Sequence, residues 1–403
     1  MERSAKNLLL LANCRIVVSS FAAAYGVGLI ALLAMPYLIS AVMIDLQLSA
    51  SDAGLLMSAE FFATMIASLM VAAVVGRIRR RRMAFVGACI ALGANLLSAQ
   101  VDVVSLLVVS RCIAGVGAGI CLACGNALLA TASDPERAAG YANVLFVALM
   151  ASVMILFARV GTDYGLPGLY LAIGGIDALM LLLISWTPPS VPARTAALIG
   201  GSKKRNPLTS IPAICMMLGM FLFSMRDTMG WAFVEQVGQR VGYSSETIGN
   251  LLAIQSLLGL VGPVLASVIG RRYGLTLPVL IGVLSTGAVV LGYVLGEHSK
   301  FIYTVSVMLI SATYFYALAY LTGLAATLDA DGRIAAASGS FLTLGIAVGP
   351  TLTGHLAEQG GFTLVGWGIV FAVLTTLAAL FVPLRVARNR SLLQRQQAAQ
   401  AYP

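Results

Sequence analysis

The sequence reads as an all-α membrane protein: twelve transmembrane helices in two six-helix bundles, a parallel repeat of six and six. Three observations lead there. Of the 403 residues, 59% are hydrophobic and only 10% are charged, against about 45–50% and about 25% in soluble domains. Twelve apolar stretches are each long enough for the roughly 20 residues a bilayer crossing needs. Landmarks in the first half recur in the second at a nearly constant offset. The composition excludes a soluble enzyme, a nucleic-acid-binding domain and a disordered chain, since 41 charged side chains cannot clothe a surface of that size in water.

The spans are expected near 17–42, 53–75, 83–101, 104–131, 138–160, 167–187, 211–236, 246–270, 276–296, 301–328, 335–357 and 363–384. Strand-length alternation is absent, so a barrel is excluded. Turn chemistry separates the spans: Asp134-Pro135, Gly165-Leu166-Pro167, Thr187-Pro188-Pro189 and Gly360-Gly361. The first apolar run, preceded by Arg3, Lys6 and Arg15, is too long for a cleavable signal and is expected to remain as the first span. The hydrophilic stretch at 188–210, with Lys203, Lys204 and Arg205, reads as a cytoplasmic linker. It divides a bundle at 1–187 from one at 211–385, with a cytoplasmic tail at 386–403.

Charge placement sets the orientation. With the N-terminus inside, 20 of the 25 basic residues fall in cytoplasmic segments. The opposite loops hold Asp45, Asp52, Asp102, Asp163, Glu246, Glu297 and Glu358. This is the positive-inside pattern. It predicts a multi-pass protein of the cell inner membrane with both termini cytoplasmic. The net charge of +9 reflects insertion and anionic lipid, with no nucleic-acid partner expected.

The repeat is legible at three places. Gly54 and Gly249 open the second and eighth spans 195 residues apart, each after a serine that can cap the helix and an acid in its first turn. Gly76 and Gly270 end those spans 194 residues apart, each followed by arginines. Arg137 and Arg333 follow the fourth and tenth spans 196 residues apart. Parallel duplication of a six-span unit is one architecture of secondary transporters.

Two motif regions carry a resemblance to the major facilitator superfamily over nearly the whole chain. The loop after the second span holds Arg77, Arg79, Arg80, Arg81 and Arg82, and its second-half copy holds Arg271, Arg272 and Gly274. This is similar to the family's Gly-x-x-x-Asp-Arg-x-Gly-Arg-Arg loop, with the aspartate missing from both copies. In the family that acid helps latch the two halves in one state. In the fourth span, Arg111-Cys112-Ile113-Ala114-Gly115-Val116-Gly117 resembles the Arg-x-x-x-Gly-x-Gly signature linked to energy coupling in proton-coupled members. The Gly-Pro signature of drug antiporters is absent from the fifth span, whereas the eleventh carries Gly345, Gly349-Pro350 and Gly354. The resemblance implies a secondary transporter whose bundles rock around a central cavity, working as a monomer on a small-molecule solute.

Charges inside spans are costly and are functional candidates by default. Glu60 lies eight residues after Asp52, and Arg111 eight after Val103. Both spans run the same way, so the two groups share a depth and can pair; either a proton-coupling switch or a structural ion pair fits. Asp227 is the second candidate titrating group. Arg226, Trp231 and Glu235 accompany it in the seventh span, with Asp227, Trp231 and Glu235 at a one-face spacing. Arg111 and Arg226 suit an anionic solute group, and the tyrosines an aromatic or apolar part. Tyr316 and Tyr320 in the tenth span, Tyr25 in the first and Gln255 in the eighth are further cavity candidates, with helix packing as the competing reading. Asp177 in the sixth span has no partner legible in sequence and reads as structural.

No other chemistry stands out. None of the six cysteines falls in an outer loop, and Cys121-x-x-Cys124 sits within an apolar span as packing residues. His298 and His355 have no companion ligands, and no phosphate-binding loop is present. Neither metal nor cofactor is expected, and an ion gradient is the expected energy source. The competing functions are a multidrug or metabolite efflux proton antiporter, a non-transporting membrane ligand sensor, which would need a large signalling part, and a membrane enzyme, which would need a catalytic cluster at one interface.

Overall fold

The computed structural model describes residues 13–75, 79–187, 207–270, 272, 274–296, 299–329 and 333–401; from residue 390 onward only the backbone course is described. Regular structure among the described residues is entirely helical. Nine helices there are long and apolar enough to cross a membrane. Two of the nine are double. Pro135–Ser185 breaks at Gly165 (φ 58°), between the expected fifth and sixth spans. Arg333–Ala401 breaks at Gly360 and Gly361 (φ 65°), between the eleventh and twelfth. The 19-residue helix Arg80–Ser98 is the third span and completes the twelve.

The remaining spans lie close to their expected limits. The first is Asn13–Asp45. The second is Ala50–Val74, the fourth Val104–Leu129, the ninth Thr276–Val294 and the tenth Lys300–Leu328. The seventh runs as Ile211–Trp231 and then Val234–Arg240, and the eighth as Ser245–Leu258 and then Val261–Ile269. The serine caps appear at both repeat positions: Ser49 Oγ accepts from Asp52 N at 3.1 Å, and Ser244 Oγ from Thr247 N at 3.2 Å. Large apolar side chains point outward along the spans, among them Met70, Val268, Phe301, Trp367 and Phe371. Such a surface suits lipid rather than water.

The chain forms two compact units, Met1–Ser202 with Ser244–Ala253, and Lys203–Tyr243 with Ile254–Pro403. Each repeats the other's packing. In the first, the second span packs on the fourth, the third on the fourth and on the fifth–sixth helix, and the first on that same double helix. In the second, the eighth packs on the tenth, the ninth on the tenth and on the eleventh–twelfth helix, and the seventh on that double helix. The motif glycines of the fourth span explain how its neighbours come close. A Cβ at Gly115 or Gly119 would strike the backbone of the second span at Glu60 and Thr64, and one at Gly117 would strike the third span at Gly87 and Ala91. Small residues let helices approach in lipid, where van der Waals packing has to hold them together.

Both glycine breaks are held by a residue from the end of the first helix of their unit. Asp45 accepts the Leu166 N–H at 2.7 Å through Oδ2, beside Gly165, and so caps the start of the sixth span. Arg240 lies 4.7 Å over the Phe362 ring, next to Gly361. These positions are again 195 and 196 residues apart. The chemistry differs while the geometry is kept.

Candidate functional site

The first unit encloses a polar cluster built from four spans. Arg111, wholly buried, projects from the fourth span, and its Nη1 stands 3.5 Å from Oε1 of Glu60 on the second, itself 2% exposed. The shared depth read from the sequence is thus realised as contact. Third-span groups take up the rest of the guanidinium. Nε and Nη2 donate to Ser98 Oγ at 3.1 and 2.6 Å, and Nη2 also donates to Asn95 Oδ1 at 2.8 Å. The guanidinium carbon sits 4.3 Å over the ring of Tyr170 from the sixth span. A charge can be kept out of water only with such compensation, because desolvation costs several kcal/mol per ion.

Asp177 joins this cluster. It is wholly buried on the sixth span, and its Oδ2 accepts from Asn95 Nδ2 at 2.7 Å. Asn95 is therefore read from both sides, its carbonyl by a cation and its amide by an acid. Sequence reasoning flagged Asp177 but found it no partner, and it missed Asn95, Ser98 and Tyr170. A polar pair at i and i+3 in the otherwise apolar third span was the available signal. Glu60 Oε2, Asp177 Oδ1 and the Tyr170 hydroxyl have no hydrogen-bond partner among the described residues.

The second unit carries a different arrangement. Arg226 is wholly buried and aims from the seventh span at the ninth, where Nη1 donates to Val283 O at 3.1 Å. Its guanidinium carbon lies 4.9 Å over Phe223, whose ring stacks on Tyr314 at 5.4 Å. Nε and Nη2 of Arg226 have no hydrogen-bond partner among the described residues. Asp227, the next residue, is half-buried and interacts electrostatically with Arg226. The expected stripe of Asp227, Trp231 and Glu235 does not lie on one continuous helix, because the helix ends at Trp231 and restarts at Val234. Trp231 and Glu235 are both buried, and Gln239 Nε2 donates to Glu235 Oε1 at 3.3 Å.

The other candidates have specific neighbours. Tyr25 lies in a π-helical stretch, Ala22–Val27, closed by the Gly28 N–H on Ala23 O at 3.0 Å. Stretches of this kind are frequent at functional sites. Its hydroxyl donates to Asn143 Oδ1 at 3.1 Å and its ring packs on Phe146. Gln255 is buried, and its Oε1 accepts from Ser311 Oγ at 2.6 Å and Ser311 N at 3.1 Å, tying the eighth span to the tenth. Tyr316 and Tyr320 share a face, with ring centroids 5.1 Å apart. The Tyr320 hydroxyl is shared between Ala266 O and Gly270 O at 3.2 and 3.0 Å, satisfying carbonyls at the end of the eighth span. Packing thus accounts for the contacts of Gln255 and Tyr320.

Of the basic loop, Arg79, Arg80, Arg272 and Gly274 are described, whereas Arg77 and Arg271 lie outside the described residues. Arg80 donates to Ala127 O at 3.1 Å, and Gly274 has φ 73°. Among the described residues no group of His, Cys, Asp and Glu could hold a metal.

The family model of the Major Facilitator Superfamily matches residues 16–339. Among solved structures, the nucleoside transporter NupG superimposes with a TM-score of 0.71 at 14% identity, covering 93% of this chain and 98% of that one. A point mutant of the same transporter gives 0.70 at 14%, covering 93% and 99%. A D-xylose-proton symporter gives 0.69 at 15%, covering 93% and 96%. No curated protein sequence matches the chain significantly.

Proposed function

The chain belongs to the Major Facilitator Superfamily, and from that premise we propose that it is a proton-coupled secondary transporter of a small organic solute, working by alternating access. The observation that carries the coupling role is the buried Glu60–Arg111 pair at 3.5 Å. A proton on Glu60 removes the charge that Arg111 balances, so the pair has two states that differ by one proton and by the electrostatic hold between the second and fourth spans. Asp227 is the second candidate carboxylate. The solute carries an anionic or aromatic part, a reading supported by Arg226, which retains unpaired donors beside Phe223 and Tyr314. Two wholly buried arginines argue against the multidrug exporter.

We assign the protein to the inner membrane, with both termini cytoplasmic, on the strength of the basic-residue asymmetry, and take the monomer as the working unit from its family membership alone. The division into bundles at 1–187 and 211–385, a linker at 188–210 and a tail at 386–403 belongs to the same proposal; residues 188–206 lie outside the described residues.

The test begins with purified protein and a panel of nucleosides, pentoses and aromatic carboxylates, read by thermal stabilisation on binding. The best stabiliser is then followed into proteoliposomes. An imposed pH gradient should drive its flux and a protonophore should abolish the effect. Flux indifferent to the gradient removes proton coupling. Glu60→Gln should lose gradient-driven accumulation and keep solute exchange; retention of both makes Glu60 structural. Arg226→Ala should weaken binding on the order of tenfold or more, as expected for a lost charged hydrogen bond, and unchanged affinity removes the anion site.

A further inference from the structure

We propose that Asp177 is a second acid of the coupling device, and that Glu60, Arg111 and Asp177 together hold one shared proton. The inference deepens the coupling role proposed above, and rests on it for the claim that this proton does work.

Charge counting and geometry carry it. Two carboxylates and one guanidinium are enclosed in the first unit, with exposures of 2% for Glu60 and 0% for Asp177 and Arg111. One cation balances one carboxylate. With both acids ionised, the cluster would bury an uncompensated negative charge, which a neutral amide alone does not offset. Asn95 is that amide, and it is the one hydrogen-bond partner of Asp177 among the described residues. The titratable and charged groups that interact electrostatically with Asp177 are Glu60 from the second span and Arg111 and Cys121 from the fourth. Tyr170 lies two turns earlier on Asp177's own helix, with its ring under Arg111. Arg111 supplies the sole positive charge in this set.

Each carboxylate also has one engaged oxygen and one without a hydrogen-bond partner. Glu60 Oε1 faces Arg111 while Oε2 is unpartnered; Asp177 Oδ2 accepts from Asn95 while Oδ1 is unpartnered. The unpartnered oxygens are where a proton can sit without breaking the observed contacts. In the arrangement seen here Glu60 is the ionised partner of Arg111 and Asp177 Oδ1 carries the proton. When Glu60 Oε2 takes up a proton, Asp177 gives one up and becomes the carboxylate that balances Arg111 through the Asn95 bridge. One proton is gained and one released, and the cluster stays neutral throughout. The two acids therefore titrate as a coupled pair rather than as independent sites. Asp177 is a positioning residue for Arg111 as well as a proton holder.

Infrared spectroscopy of the purified full-length protein tests this without a solute. Difference spectra between wild type and each variant cancel the contributions of Asp227 and Glu235. At neutral pH the wild type should show a protonated-carboxyl band amounting to one group that both Asp177→Asn and Glu60→Gln abolish, the first by removing the acid that carries the proton, the second by freeing Arg111 to pair with ionised Asp177. Asp177→Glu should shift the band instead of losing it, and serves where Asp177→Asn does not fold. A band that persists in Asp177→Asn, persists in Glu60→Gln, fails to shift in Asp177→Glu, or is missing from the wild type overturns the proposal. Flux that ignores a pH gradient while the band behaves as stated would remove coupling and leave the shared proton standing. The reverse result would remove the shared proton and leave coupling intact.

Discussion

Arg111 touches three other spans at once, through Glu60, through Asn95 and Ser98, and through the Tyr170 ring. Its planar fork is what makes this possible, and a lysine ammonium cannot reproduce it. Arg111→Lys should therefore behave as a disruptive change, losing the third-span bonds and the contact with Tyr170. Arg111→Met should be worse, costing about 3–5 kcal/mol relative to the wild type, since it leaves Glu60 buried without its cation. Adding Glu60→Gln to Arg111→Met should restore part of that loss, because the stranded charge is gone. Thermal unfolding of the wild type, Glu60→Gln, Arg111→Met and the double variant in detergent reads the cycle; equal damage from Arg111→Met and the double variant would mean that the pair is not electrostatically coupled. Depth made this pair legible in the sequence, since helical rise alone puts Glu60 and Arg111 level. Asp177 and Asn95 were not legible as partners. Knowing their depths does not reveal which spans adjoin or which way each side chain faces.

At the scale of the element, the glycines of the fourth span divide their labour by face. Gly115 and Gly119, four apart, lie against the second span, and Gly117 lies against the third. The signature that resembles a coupling motif thus has a packing content that spacing alone suggests, with Arg111 at its head as the chemical part. Gly119→Ala should cost about 1–3 kcal/mol by overpacking against the Thr64 backbone. Gly93→Ala on the third span is the matched control, because a Cβ there meets nothing within 4 Å. It should be neutral or stabilise by about 0.4–1 kcal/mol through the unfolded chain. Comparison of the two melting temperatures decides the matter, and equal shifts would sink the packing argument. The seventh span shows where element-level reading stops. The spacing of Asp227, Trp231 and Glu235 promised a continuous face, but the chain leaves the helix at Ala232 and Phe233 with no proline to announce it.

For the whole molecule, the repeat was the most legible feature, because duplication preserves offsets even where residues change. The caps at Ser49 and Ser244 and the breaks at Gly165 and Gly361 keep their places, while Asp45 and Arg240 hold those breaks by different chemistry. The proposed orientation in the membrane likewise rests on the sequence, on charge rather than on structure. The loop after the second span bears much of it, and its arginines differ in what else they do. Arg80 is half-buried and bonded to Ala127 O, whereas Arg79, Arg81 and Arg82 are exposed. The three exposed residues are free to act through the anionic leaflet, at about 1 kcal/mol each. Changing Arg79, Arg81 and Arg82 to Gln should therefore leave the helix packing intact and weaken the retention of this loop on its proposed cytoplasmic side. A fluorescent protein fused to the C-terminus, which fluoresces only when it stays inside the cell, should be bright on the parent and dimmer per molecule on the triple variant. A dark parent fusion would reverse the assigned orientation. An unchanged triple variant would move the topogenic signal to the basic residues elsewhere on the same side.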